Sequence, residues 1–189
     1  MENCILRWYP REYLEAINLL FLRHKELNAI KFLSSYREKR LITTLSGKDS
    51  LVSFHLAIRA GITTTVVINR YIGMRKIPDA IIEELIDIAK KLTDAKVMVT
   101  EFKWNAHSSL FKQVVQFYHP DAVLTGLRVQ EDGDWIVAYY DNGRMVPVIS
   151  PITTWRHSDI WAYIATHGLP FPSIYCNAEM PQASLQSLI

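Results

Sequence analysis

Cysteine is scarce in this chain: its 189 residues hold two, Cys4 and Cys176, far apart in sequence. No Cys-x-x-Cys pair exists, so the chain alone is expected to build neither a zinc site nor an iron–sulfur cluster. A disulfide between the two is not expected in a cytosolic chain. Cys176 has no basic neighbour that would favour its thiolate. Charge of one sign is also missing: the net charge is +2, and the basic run Arg37, Lys39, Arg40 is interrupted by Glu38. Bulk charge therefore gives no reason to expect a nucleic-acid or acidic-membrane partner. No apolar run reaches the ~18 residues that a membrane helix needs. The N-terminus lacks the basic start, apolar middle and small-residue site of an export signal, so a cytoplasmic location is expected. No His pair has metal-ligand spacing, no Ser-His-Asp arrangement stands out, and there is no internal repeat or low-complexity stretch.

About half the residues are apolar, ample for one domain's core. Residues 11–40 read as one or two helices, with Leu14, Ile17, Phe21, Leu22, Ala29, Ile30 and Leu33 on the apolar side. Alternation follows. Strands are expected at 41–45, 64–69, 96–102 and 122–127, with helices at about 50–60, from Pro78 through Leu92, and at about 108–118. This order predicts an α/β fold with a doubly wound, mostly parallel sheet of about five strands and helices on both faces. Two further strand-like runs, Trp135 to Tyr140 and Met145 to Ile149, flank Asn142-Gly143, a hairpin turn signal. With a helix at about 157–167 they read as a C-terminal hairpin-plus-helix cap. The expected division is a helical extension at 1–40, an α/β domain at 41–176 and a tail at 177–189.

The most informative segment is Ser46-Gly47-Lys48-Asp49-Ser50, set between the first strand and its helix. A tight turn there gathers backbone N–H groups and the positive end of a helix dipole, which suits a phosphate or sulfate. Gly47 lets backbone approach the ligand, Lys48 adds charge, and Ser46 and Ser50 add hydroxyls. Asp49 is out of place in an anion site and reads as a helix cap or a metal ligand. The segment is not a nucleoside-triphosphate loop, because the first Gly is missing and Asp follows Lys.

Ligands of open parallel sheets lie at the carboxyl ends of strands. Those ends carry Asn69 and Arg70, then Arg75 and Lys76, then Lys103 and His107, then Gly126, Arg128 and Glu131. Taken singly, Arg75, Lys76 and Lys103 read as surface charge, and their clustering on one edge is the stronger argument. Arg128, just past a strand end, offers a planar fork for a phosphate or sulfate. His55, inside a helix, reads as a packing residue.

Three separated blocks resemble one family. Ser46-Gly47-Lys48-Asp49-Ser50 with Phe54-His55-Leu56-Ala57, then Thr125-Gly126-Leu127-Arg128-Val129-Gln130-Glu131-Asp132, then Pro151 to Trp155 with Asp159-Ile160-Trp161-Ala162-Tyr163-Ile164, are similar to segments of phosphoadenosine phosphosulfate (PAPS) reductases and the ATP sulfurylase small subunit. Leu169-Pro170-Phe171 and Tyr175 continue the last block. The resemblance spans residues 41–176 and implies an adenine nucleotide alpha-hydrolase-like fold that binds ATP or a sulfonucleotide such as PAPS. It implies that Ser46 to Ser50 hold the phosphate or sulfate end, and that Lys48 and Arg128 stabilise developing charge in a sulfurylase- or reductase-like reaction. It places Asn69, Gly126 and Glu131 at the nucleotide, with Mg²⁺ on Asp49 if the substrate is ATP. Departures are Leu45, Asn69-Arg70, Asp132 and Arg156 at positions where the family carries other residues. The Glu-Cys-Gly segment bearing the reductases' catalytic cysteine has no counterpart in these residues. Two other readings stay open: a true reductase using a thiol, and a non-catalytic nucleotide-binding subunit that self-associates or joins a larger complex.

Overall fold

The apolar run at 41–45 becomes the middle of the sheet. In the computed structural model, which describes residues 9–17, 21–72, 75–103, 110–129 and 138–177, β1 (Leu41–Thr44) is buried at every position. It pairs in parallel with β2 (Thr64–Asn69) on one side and β6 (Ala122–Leu124) on the other. Beyond β2 lies β5 (Val97–Thr100), and beyond β6 lie β8 (Arg144–Ile149) and then β7 (Ala138–Asp141), giving the order β5-β2-β1-β6-β8-β7. Within this sheet all pairings are parallel except β7 with β8. Between β2 and β5 the loop carries a small ribbon, β3 (Tyr71–Ile72) with β4 (Arg75–Lys76), which sequence pattern does not announce.

Successive strand residues point to opposite faces, and two cores result. Leu41, Val66, Ile68, Ala122, Leu124 and Ile149 pack with α3 (Lys48–Arg59), α4 (Asp79–Leu92) and α6 (His157–Thr166). Ile42, Val67 and Val123 pack on the other face with Val114 and Val115 of α5 (Leu110–Tyr118). Two N-terminal helices, α1 (Arg11–Ile17) and α2 (Arg23–Ser34), complete the first layer through Leu14, Ile17, Ala29 and Leu33. No helix among the described residues is long and apolar enough to cross a membrane.

The doubly wound, mostly parallel α/β sheet is as the sequence reads, with one correction. The hairpin is not a separate cap. Its turn forms as expected, with Asn142 and Gly143 at φ 48° and 83°, but β8 enters the main sheet beside β6 and leaves β7 as an antiparallel edge, making six strands. Val146 and Ile149 are buried there, so the strand gains more by docking on β6 than by standing apart. Pro147 is tolerated because β8 is shared: residues 144–147 pair with β7, while Val148 and Ile149 pair with β6. Trp135 to Val137 of the expected strand lie outside the described residues.

Helix α2 fastens two helices at once. Glu26 receives Arg59 of α3 at 2.6 Å and faces His167 Nε2 at 2.9 Å, and Lys25 binds Asp159 of α6. Beside them Tyr163, which accepts from Arg59, faces His55 Nδ1 at 2.8 Å. Burial first, then the neighbouring His167 and Arg59, lowers the His55 pKa from 6.5 to about 4. The unfolded chain takes up that proton near its ordinary value while the fold refuses it until about pH 4, so stability falls as pH drops through this window. Urea unfolding at pH 7.5 and pH 5 is expected to show a lower midpoint in acid, and His55→Gln should lose less on acidification. Equal acid losses in both proteins would refute this assignment.

Candidate functional site

The chain leaves β1 toward β2 and β5, then returns to build β6 and β8 on the other side. The carboxyl ends of β1 and β6 are therefore the point where the winding reverses, the place where open α/β sheets bind their ligands. The turn after β1 and the first turn of α3 carry Ser46 to Ser50, and the loop after β6 carries Thr125 to Arg128. They touch through glycine. A Cβ built on Gly126 would lie 2.3 Å from Ser50 N and 2.4 Å from the Asp49 carbonyl carbon. Only glycine lets the second loop lie against the first turn of α3. Ser150 Oγ donates to Leu127 O at 2.7 Å and Val129 N–H to Thr153 O at 2.9 Å, tying that loop to the segment leading into α6.

Three charged side chains meet where the two loops come together. Lys48 and Arg128 are buried, at 1% and 0% exposure. Asp49 lies between them, with Oδ2 3.0 Å from Lys48 Nζ and Oδ1 2.8 Å from Arg128 Nε. The Arg128 approach is off the hydrogen-bond direction, so it is an ionic contact and not a directed bond. Arg128 also donates toward Trp155 O at 3.4 Å and lies 3.0 Å, through Nη2, from His157 Nδ1. Lys48 Nζ sits 5.4 Å from the centroid of the Tyr175 ring, whose hydroxyl accepts the Lys48 N–H at 3.4 Å. Burial first, then Arg128 and Lys48, lowers the His157 pKa to about 4, so the ring is neutral at pH 7.

The turn also uses its own polar groups. Ser50 Oγ accepts the N–H of Ser46 and of Gly47, at 2.9 and 3.0 Å, and donates back to Gly47 O. Its hydroxyl closes the turn in the manner of a capping box. Asn69 lies at the end of β2, yet its amide donates to Tyr71 O and Phe102 O and accepts from Thr100 Oγ1 and Phe102 N–H. It clips β2 to the exit of β5. The surface cations are engaged locally as well: Arg70 with Asp79 and Glu101, Lys76 with Asp79, and Lys103 over the Tyr71 ring. Glu131 and His107 lie outside the described residues.

Asp49 is the carboxylate of this site on which Mg²⁺ is expected for an ATP substrate, and the described residues add no further carboxylate cluster beside it. Both Asp49 oxygens face cationic nitrogens. Cys176, expected as a free thiol, is disulfide-bonded. The chain's other cysteine, Cys4, lies outside the described residues. A cleft of about 490 Å³, lined by Arg40, Ile42, Thr65, Lys96 and Tyr118, opens at the amino ends of the strands, away from this site.

Sequence reasoning brought out Lys48, Asp49, Gly126 and Arg128, and the structure assembles them. It gave no role to His157 and did not place Tyr175 against Lys48. Tyr175 and Trp155 belong to the family-like blocks, and that was the signal available for them.

Curated relatives include the adenosine 5′-phosphosulfate reductases of Neisseria meningitidis serogroups A and B. Each is 36% identical over 58 residues, which is 29% of this chain and 24% of the relative. The matched stretch thus spans about a quarter of those proteins. Among solved structures, an NMN synthetase from Francisella tularensis superposes with a TM-score of 0.51 at 14% identity, over 79% of this chain and 71% of the synthetase. That likeness speaks to the fold alone. A phosphoadenylyl-sulfate reductase from Candida auris, in a phosphate complex, gives 0.47 at 14% identity, over 87% and 90%. The model of the phosphoadenosine phosphosulfate reductase domain matches residues 40–178, most of the chain, and this protein belongs to that family.

Proposed function

We propose that the protein binds an adenine nucleotide, ATP or a sulfonucleotide such as PAPS, with its phosphate or sulfate end where the loops after β1 and β6 come together. One observation carries this reading: two fully buried cations, Lys48 and Arg128, converge on the N-terminus of α3 at the reversal point of the sheet. Burying charged side chains costs free energy, and a helix N-terminus flanked by such cations favours an arriving anion. The relatives' names, both of sulfonucleotide reductases, point to the same ligand class. The chemistry would act at the held phosphate or sulfate, with Lys48 and Arg128 stabilising charge that develops there.

Thermal unfolding with ATP–Mg²⁺, adenylylsulfate, PAPS and adenosine 3′,5′-bisphosphate tests the reading. A ligand at about 100 times its dissociation constant adds roughly 2.7 kcal/mol, which raises the midpoint by on the order of 5–10 °C. A rise with PAPS and the bisphosphate alone selects a 3′-phosphorylated ligand, and a rise with ATP–Mg²⁺ alone selects ATP. No rise with any of the four refutes nucleotide binding by this chain.

A further inference from the structure

Arg128 is wholly buried, and a buried guanidinium needs acceptors set in its plane. Asp49 gives Nε a charge but not an aligned bond, and the Trp155 carbonyl stands at 3.4 Å from Nη1. Nη2 meets hydrogen-bond geometry with His157 Nδ1 at 3.0 Å. Arginine has no lone pair, so the imidazole must accept, with Nδ1 unprotonated and the proton on Nε2. His157 opens α6, and its place there is secured. Asp159 accepts the Arg156 N–H at 2.7 Å, capping the helix, and is itself bound by Lys25 of α2. The ring faces Arg128 from the β6 loop and Lys48 and Asp49 from α3. Tyr9, its own pKa raised by burial, lies in the field of Arg128 from the N-terminal side.

We propose that His157 is a positioning residue: its Nδ1 lone pair orients the Arg128 guanidinium toward the place where the β1 and β6 loops come together. This rests on the reading of that place as an anion site. Phenylalanine at 157 keeps the bulk of the ring and loses the acceptor. Asparagine places an amide oxygen close to the position of Nδ1 and restores it. A structural role for the side chain alone would not separate these two variants.

The test is calorimetric titration of inorganic phosphate into wild type, His157→Phe, His157→Asn and Arg128→Met at pH 7.5, with unfolding midpoints measured alongside. The dissociation constant is expected to rise about tenfold in His157→Phe and to stay within about threefold of wild type in His157→Asn. Wild-type affinity in the Phe variant, or equal losses in both His157 variants, overturns the positioning role and leaves the anion site standing. No phosphate binding by wild type overturns the anion site itself, and the positioning role with it. A second measurement uses neither variant nor ligand. Imidazole ¹⁵N shifts of His157 at pH 7 should show Nδ1 unprotonated, and a proton on Nδ1 overturns the proposal even if His157→Phe fails to fold.

Discussion

Gly126→Ala is expected to destabilise the protein by roughly 3 kcal/mol, at the upper end of overpacking substitutions. The midpoint would fall by on the order of 10 °C for a domain of this size. The added Cβ would meet backbone atoms, at 2.3 Å from Ser50 N, 2.4 Å from Asp49 C and 2.8 Å from Asp49 O. A side chain in its way could rotate aside, but the first turn of α3 cannot move without disturbing the buried Lys48 and Ser50. Either α3 shifts or the β6 loop lifts, and both separate Arg128 from Asp49. Anion binding should therefore fall together with stability. Gly168→Ala is the control. It sits at φ 58° with nothing within 4 Å of a built Cβ, so it costs only the left-handed backbone penalty of about 1–2 kcal/mol. If Gly126→Ala melts within a degree or two of wild type, the two loops do not meet in solution as described.

The same contact shows what the sequence could and could not reveal. The strand at 64–69 is legible because six residues rich in β-branched side chains have no helical periodicity, and β2 spans those residues. Ser46 to Ser50 stand out because a polar turn between an apolar strand and helix is a local pattern. What those residues touch is not local. Asn69 reads as an edge residue until Phe102, brought alongside by the β2–β5 pairing, claims its amide. His157 meets Arg128 across 29 positions of sequence and Tyr175 meets Lys48 across 127, distances at which periodicity carries no information. The hairpin fails in the same way. Asn142-Gly143 specifies a turn, while the neighbour that β8 finds depends on which sheet edge is exposed when it folds.

Arg128→Met should be the most damaging single change at the site. Methionine is nearly as long and fills much of the same space, so packing loss is small and the charge and its bonds are what disappear. Asp49 loses one of its two cationic neighbours, and the Trp155 carbonyl and His157 Nδ1 lose a donor. Breaking a buried pair by removing one partner costs about 3–5 kcal/mol, and Lys48, 3.0 Å from Asp49, holds this case to the lower end. Phosphate affinity should fall about 10–100-fold, the loss expected for charge-assisted hydrogen bonds. Arg128→Lys separates the two effects. It restores the charge near Asp49 and much of the stability, but a point charge cannot span His157 and an anion together, so binding should stay weak. Asp49→Asn in the Arg128→Met background removes the stranded carboxylate. It should recover about 1 kcal/mol relative to the sum of the single changes, within the range of contacting residues. Additive losses across that cycle would mean that Asp49 and Arg128 do not act as a pair. Unchanged phosphate affinity in Arg128→Met would remove Arg128 from the anion site altogether.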